Sequence, residues 1–572
     1  MRACLATIGV GVAVAAAALG GSAAVARQGD QAGPADLVIL NGRVFIGAGW
    51  PSAEALAARD GVIVRVGSTA EIRALAGRAS RIIDARGGSV LPGFIDGHVH
   101  FVSGGLGFDR VNLLDAESLE AIQRKIREFA VANPDRPWVL GRGWYYSPFP
   151  GGLPTRQQLD AAVPDRPAYM ACYDGHTGWA NTAALRVAGI TADTPNPPDG
   201  IIVKDPKTGE PTGILKEAAK QLMSKVIPQP ARADRLRAIV RASAEASRLG
   251  ITSIHEAGTD ADDLALFDEG RRSGSLTVRV YGALSVTDAM TVADADVFEG
   301  LRRTYASNPL ITVGAVKIML DGVIEANTAK MLAPYSNAPT TGHVNYEPRE
   351  LERIVTMMDG RGWQVMTHAI GDGAVRTILD AYGAAVRANP PPARGRRHRV
   401  EHAETIDPAE NARFGRQEAI VSYMPFHANP SPAQLDVWQG NIGPERAARG
   451  WIVRTLQQAG ARMVFGSDWP VVALDPRLEI NMAVTRRTPE GLPKEGWHPE
   501  QAIGLDRAIE AMTAGGAYAS FAEDRKGRLA PGLLADIVIL SKDVFAQPEA
   551  RFLDAVVDVT ILGGKVVYER KR

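Results

Sequence analysis

Apolar and polar positions change rhythm three times along this chain. From residue 35, "ADLVILNGRVFIG" and "DGVIVRVGS" alternate apolar and polar residues around turn signals, and "LADIVILSKDV" and "VDVTILGGKVVYE" do the same near the C-terminus. A period of two predicts half-buried strands. Segments at opposite ends of the chain, residues 36–90 and 521–572, are expected to share one small β-sandwich, with the middle of the chain inserted between them.

The centre follows another pattern. Short apolar runs alternate with amphipathic helical stretches such as "EPRELERIVTMMDG" and "GAVRTILDAYGAAVRAN". Eight runs read as strands: "SVLPGFIDGHVHF", "ITSIHEAG", "TVRVYGALSV", "ITVGAVKIML", "WQVMTHAIG", "HRVEHAE", "AIVSYMP" and "RMVFGSDWP". Alternating strands and helices predict an α/β fold, a (β/α)8 TIM barrel over residues 91–520. The first two strands are separated by about 150 residues, far more than one helix and two short loops require. That long β1–α1 insertion, residues 103–250, is read as a lid subdomain over the C-terminal face, with "IIVKDPKTGEPTGILKE" as its hairpin.

The first 31 residues differ in kind. "MRACLATIGVGVAVAAAALGGSAAVARQGDQ" has one early arginine, a run of small apolar residues and an Ala24-Val25-Ala26 cleavage pattern. It predicts a secretory signal peptide over residues 1–26 and no stable membrane insertion after cleavage. Removal would leave Cys172 as the sole cysteine, so no intramolecular disulfide is available, and export to a bacterial periplasm is the expected localisation. Lys plus Arg and Asp plus Glu both number 64, a balance that gives no support to nucleic acid as a partner. A small-molecule substrate is expected, and a homo-oligomer is compatible with the composition.

Candidate chemistry collects at the ends of the predicted strands. His98 and His100 close the first, Lys317 lies late in the fourth, His368 in the fifth, His402 in the sixth and Asp468 near the end of the eighth. Residues i and i+2 of a strand share a face, so His98 and His100 can address one metal ion. C-terminal strand ends are where barrel enzymes keep their sites.

The ordered set "GFIDGHVH", "VKIMLDG", "MTHAIGD", "RVEHAE" and "FGSDWP", with the flanking "PGLLADIVIL", resembles the amidohydrolase superfamily of metal-dependent hydrolases over essentially the whole chain after the leader. "GRGWYY", "DGHTGWANTAAL", "PTGILKEAA" and "GSDWPVVALDP" resemble the branch that contains N-substituted formamide deformylase. The resemblance implies two divalent ions. His98, His100 and Asp468 would bind the first, His368 and His402 the second, and a carbamate formed on Lys317 from carbon dioxide would bridge them. Nitrogen and oxygen donors suit zinc, with manganese, iron and cobalt open. Asp468 is then expected to act as the catalytic proton acceptor, in hydrolysis of a non-peptide carbon–nitrogen bond in a small N-acyl or N-formyl amine.

Other readings stay open at this point. Lys317 could instead pair with Asp321 or Glu401, leaving a mononuclear site. A deaminase, cyclic amidase, esterase or lactonase would use similar parts, and an inert binding protein would keep only the barrel. Candidate substrate contacts are His176, Trp144, Tyr145, Glu217, His255 and His427; for Trp144, Tyr145 and neighbouring Tyr146 the alternative is packing of lid against barrel. Arg486 and Arg487 read as a solvated face, and His343, His398 and His498 as structural.

Overall fold

The computed structural model describes residues 33–49, 52–546 and 549–571. The leader expected over residues 1–26 lies outside the described residues. Eight strands run parallel in chain order: β1 (Phe94–Val99), β2 (Ile251–Thr259), β3 (Arg279–Ser285), β4 (Ile311–Met319), β5 (Gln364–Ala369), β6 (Arg399–His402), β7 (Ile420–Tyr423) and β8 (Arg462–Phe465). Their residues are almost all buried, as expected of parallel strands covered on both faces. The outer helices obey the same logic. In Pro348–Gly360 the buried positions Leu351, Ile354, Val355 and Met358 recur at helical spacing, and Asp260 caps Ala261–Arg272 by accepting from the Asp263 amide at 2.8 Å.

The ring closes where β1 meets β8. Val99 bridges to Trp469 in parallel, the Asp468 amide donates to the His98 carbonyl at 2.7 Å, and the His100 amide donates to the Trp469 carbonyl at 2.8 Å. Two glycines allow that approach. A Cβ on Gly97 would lie 2.7 Å from the Phe465 carbonyl oxygen, and one on Gly466 would lie 2.5 Å from the His98 amide nitrogen. The structure is the (β/α)8 barrel that the alternation predicts.

Two further sheets flank the barrel, the first built from N-terminal strands alone and the second from both ends of the chain. One has the order Val62–Gly67, Ala55–Arg59, Ala35–Leu40, Ala76–Asp84; the other runs Arg43–Val44, Ser89–Pro92, Ile537–Leu540, Val557–Leu562, Lys565–Glu569. Leu37, Ile39 and Leu56 of the first pack on Val90, Ile537 and Val559 of the second. Ala76–Asp84 escapes the alternation rule because most of its side chains are partly or fully exposed. Arg279 on β3 fixes the barrel to the C-terminal sheet region through two bonds to Asp536, at 2.7 and 3.0 Å.

Between β1 and β2 lies a six-stranded sheet in the order Gly200–Lys204, Pro211–Glu217, Thr177–Ala180, Ala168–Cys172, Val139–Trp144, Val111–Asn112. Helix Arg232–Arg248, late in the stretch 103–250, already packs on β2 and on helix Ala261–Arg272 in the outer layer of the barrel. Among the described residues, no helix is long and apolar enough to cross a membrane.

The lid sheet has two unlike faces, and a bulge decides which residue joins which. Ala171 pairs with Arg142, but Cys172 pairs with Trp144, so one residue is skipped at Gly143, whose φ is +98°. Trp144 is thereby turned away from the barrel, into a core with Met170, Cys172, Trp179 and Ile214, where its Nε1–H donates to the Met170 carbonyl at 3.0 Å. This corrects the expectation that Trp144 lines a substrate pocket. Tyr145 belongs to the same core, its ring tilted against that of Tyr173 at 4.7 Å, and is corrected with it. Trp144→Ala should therefore cost about 3–5 kcal/mol of folding free energy, as removal of a fully buried tryptophan does elsewhere. Urea unfolding reads this directly, and a loss below about 1 kcal/mol would show that the indole is not a packing element.

Candidate metal centre and active site

Most of the side chains singled out in the sequence gather at one cavity of about 890 Å³ at the C-terminal end of the barrel, with His98 buried directly behind its wall. His98 and His100 follow from β1, Lys317 from β4, His368 from β5, His402 from β6 and Asp468 from the turn after β8; His427 joins them from a single turn, Pro425–Ala428, after β7. His98 Nε2 and His100 Nε2 stand 3.5 and 3.3 Å from Asp468 Oδ1. On the other carboxylate oxygen, His402 Nδ1 lies at 4.0 Å and His427 Nε2 at 3.9 Å. Two groups of donors thus share Asp468: His98 with His100, and His402 with His427.

Lys317 Nζ lies 3.1 Å from His98 Nε2. His368 is placed differently from the expected second set. Its Nε2 faces the Gly322 carbonyl at 3.1 Å and Asp321 Oδ1 at 3.7 Å, although its ring lies only 4.5 Å from that of His402. The backbone is bent to make these placements. His402, Ala403 and Asp468 have φ values of +69°, +47° and +53°, a left-handed region that costs of order 1–3 kcal/mol per residue and persists only where the surroundings enforce it.

What enforces it beneath the cavity is a buried ionic chain. Arg399 Nε and Nη2 donate to the two oxygens of Glu401 at 2.8 and 2.9 Å, and Glu401 Oε2 accepts from His98 Nδ1 at 2.6 Å. Because Nδ1 is engaged by the carboxylate, Nε2 of His98 is left to face Asp468 and Lys317. Arg399 also donates to the Gly97 carbonyl at 2.6 Å and to Ser422 Oγ at 2.8 Å. His255 ends up in this layer. It sits in the middle of β2 rather than at its end, is fully buried, and its Nδ1 accepts from Arg399 Nη1 at 2.9 Å. It does not line the cavity, which corrects its expected substrate role. The seam has its own tie, Asp96, which accepts from the Ser467 amide at 2.9 Å and Ser467 Oγ at 2.6 Å.

The charges in the site suit a cation. Burial, reinforced by Lys317, lowers His98 to about 4 and His368 to about 3, and burial with His368 holds His402 well below its ordinary value. All three imidazoles are therefore neutral near pH 7, the form that binds a metal. Burial opposes ionisation of Asp468, but His100, His98 and His402 hold it well below the usual carboxylate range. Burial, aided by Arg399, lowers Lys317 to about 8. His402 Nδ1, His427 Nε2 and Asp468 Oδ1 are buried and accept or donate no hydrogen bond among the described residues. Unpaired buried polar atoms converging on one volume fit a divalent ion with a taste for nitrogen and oxygen.

The lid supplies the opposite wall. His176 Nδ1 bonds the Glu217 carboxylate at 2.9 and 3.1 Å, and Thr328 Oγ1 donates to Glu217 Oε1 at 2.7 Å. The His176 ring stands 5.9 Å from that of His368, so this pair reaches the centre as its sequence context suggests. Several lining residues carried no signal of their own: Tyr173, Asp174, Glu325 and Glu404 reach the cavity only through the geometry of the insertion and the strand ends. Arg142 sits inside "GRGWYY", yet nothing in that phrase distinguishes the inward arginine from the outward tryptophan. Arg486 departs from its expected solvated face: it is fully buried, with its guanidinium 5.2 Å from the Trp497 ring centroid. His398 is structural, bonded to Asp359 Oδ1 at 3.0 Å.

Two measurements follow. Glu401→Gln removes the carboxylate that aims His98, so metal affinity should fall by about 10–100-fold in competition with a chelator; an unchanged affinity would detach Glu401 from the centre. The lid pair carries a pH signature. Burial disfavours its charges, yet His176 and Thr328 lower Glu217 to about 2, and Glu217 raises His176. The Glu217 contribution is complete above its ordinary 4.5 and fades as pH falls toward 2, while that of His176 is complete below 6.5 and fades as pH rises through its higher folded value. Glu217→Gln should therefore destabilise more at about pH 5.5 than at about pH 9, and equal losses at both would dismiss the charged pair.

The sequence profile of the amidohydrolase family matches residues 81–568. Among curated proteins, Protein LONG AFTER FAR-RED 3 of Arabidopsis thaliana is 31% identical over 93% of this chain and 92% of its own length. N-substituted formamide deformylase of Arthrobacter pascens is 27% identical over 94% and 98%. Among solved structures, an uncharacterized metal-dependent hydrolase from Pyrococcus horikoshii has a TM-score of 0.69 at 25% identity, covering 90% of this chain and 99% of that one. The closed barrel, the metal-suited donor set at its C-terminal end and a profile match across most of the chain lead to one conclusion: this protein belongs to the amidohydrolase family.

Proposed function

We propose that this chain is an exported metal-dependent amidase that hydrolyses a non-peptide carbon–nitrogen bond in a small N-acyl or N-formyl amine. The observation that carries the reading is the pair of donor groups sharing Asp468 at the floor of a cavity large enough for a small molecule. The similarity to a formamide deformylase over nearly the full length of both chains supports the amide-type bond. His98, His100 and Asp468 would hold one zinc ion. His402 and His368 would hold a second, beside a carbamate on Lys317, whose lowered pKa provides the neutral amine that carbon dioxide needs. His427 offers the second ion a donor that the sequence pattern did not assign to it. Divalent ions bound there supply an acidified water and a polarised substrate carbonyl.

The protein's own groups do the rest. Asp468, ionised and buried, takes the proton from the attacking water and delivers it to the departing nitrogen. His176, held by Glu217 across the cavity, donates a hydrogen bond from Nε2 to the substrate carbonyl oxygen as negative charge grows there. Glu401 and Arg399 keep His98 in one tautomer. The leader pattern over residues 1–26 supports a periplasmic setting for this chemistry.

A second reading has one observation in its favour. His98, His100 and Asp468 converge without any help from Lys317, as a one-ion deaminase centre would. Metal content per chain separates the two, because the amidase reading needs two ions and the deaminase one. Asp468→Asn should lower turnover by about a hundredfold or more, since removal of a general base costs about 10²–10⁴. Wild-type turnover in that variant would remove Asp468 from the chemistry. A panel of N-formyl and N-acetyl amines against matched esters tests the bond type, and faster ester cleavage would overturn the amide assignment.

A further inference from the structure

Two arginines in the cavity wall lack a carboxylate to pair with. Arg110 and Arg142 both line the cavity, and neither forms an ion pair among the described residues. Arg142 Nη2 donates to the Tyr173 carbonyl, while its Nη1 is buried with no hydrogen-bond partner among the described residues. Arg110, half-buried, makes no side-chain hydrogen bond among them. The lid sheet places them together. Val111 pairs in parallel with Gly141 and Asn112 with Arg142, so Arg110 extends the row beside Leu140 and shares a face with Arg142. Tyr169 and Ala171, the partners of Leu140 and Arg142 on the next strand, also line the cavity, whereas Met170 and Cys172 face the lid core. A guanidinium with a buried N–H group left without a partner is costly and is not left so without a reason.

No acidic group among the described residues comes within ion-pair distance of either guanidinium, and most of those lining the cavity are engaged with other donors. Asp174 accepts from Tyr146 and from the His176 amide, Glu325 from Tyr173, Glu404 from Trp438, and Asp321 from the amides of Lys330, Ile370 and Gly371. We infer that Arg110 and Arg142 form a subsite for a carboxylate on the substrate, so that the hydrolysed amine carries an acidic group on the side facing the lid. This deepens the amidase reading and rests on it. Asp174 and Asp468 lie close enough to act on the Arg142 charge, which makes the net field of the subsite modest and suits a monoanion better than a phosphate dianion. Planar forks of N–H donors match the two oxygens of a carboxylate.

The metal-loaded full-length protein is assayed with matched pairs: N-formyl and N-acetyl phenylalanine against the corresponding phenethylamides, with the phosphonate analogue as a third member. Wild type is expected to favour the carboxylate over the uncharged amide by about a hundredfold in kcat/KM, with most of the difference in KM. Arg142→Met and Arg110→Met should each lower that ratio by about tenfold, and Arg142→Lys should restore part of it. Equal use of acid and uncharged amide by the wild type, or preference for the phosphonate, overturns the subsite. Binding of 3-phenylpropionate by calorimetry is measured in parallel and needs no turnover. Weakening of about tenfold in Arg142→Met supports the subsite, and an unchanged affinity overturns it. Inactivity toward every amide with intact carboxylate binding would refute the amidase reading and leave the subsite standing, so the two failures are distinguishable.

Discussion

Everything in the active site hangs on the closing of the barrel between β1 and β8. Gly97 and Gly466 let the two strands approach to a distance that any side chain at either position would block. Only at that distance does the Asp468 amide reach the His98 carbonyl, and with it Asp468 Oδ1 comes within 3.5 Å of both His98 Nε2 and His100 Nε2. Residues some 370 positions apart in the chain become neighbours in one donor set (His98 and Asp468). The tie at Asp96, which burial pushes up to about 7, reinforces the seam from below through Ser467. In this enzyme, ring closure and site assembly are one event, because the last strand delivers the shared carboxylate.

A closed ring would still leave the imidazoles free to turn. Their orientation comes from a buried ionic chain of Arg399, Glu401 and His98. Such chains are costly to desolvate and contribute little net stability, so an apolar core would serve the fold at least as well. Its value lies in geometry. Arg399 cross-links β6 to β1 through the Gly97 carbonyl, to β7 through Ser422 and to β2 through His255, and so the carboxylate that aims His98 is held from four strands. The left-handed backbone at His402 and Asp468 is tolerated for the same reason: the surrounding strands over-determine where those residues go.

How much of this was legible in the sequence depends on how local the signal is. His98 and His100 declare themselves because a strand's period of two puts them on one face, and Lys317, His368, His402 and Asp468 because each sits where an apolar run ends. The eight-strand alternation gave the barrel for the same reason. What failed were residues whose direction is set by a backbone irregularity or by a distant partner. Trp144 follows Arg142 by two positions and should share its face, but the bulge at Gly143 sends it into the lid core. His255 reads as a candidate substrate contact and is mid-strand instead, because β2 continues through Thr259. Arg486 reads as a surface charge until the fold lays it against Trp497. His427 was visible as a residue, but its closeness to Asp468 depends on a single turn after β7 that periodicity does not resolve.

The lid completes an electrical asymmetry that neither half has alone. The barrel floor collects neutral imidazoles around an ionised carboxylate, an arrangement that attracts cations. The facing sheet presents Arg110, Arg142 and the His176–Glu217 pair, an arrangement that attracts the polar and negative end of an organic molecule. A substrate of the proposed kind would be held between them with its carbonyl toward the metal-suited floor and its charged end away from it, so that its orientation is fixed before any bond is strained. The bulge at Gly143 is what permits this division. Without it the lid would turn an indole toward the cavity, where the existing fold uses that face for a guanidinium and keeps its aromatic residues for its own core. On the proposed subsite, substrate choice would follow from the register of this sheet, and the metal-suited floor by itself leaves that choice open.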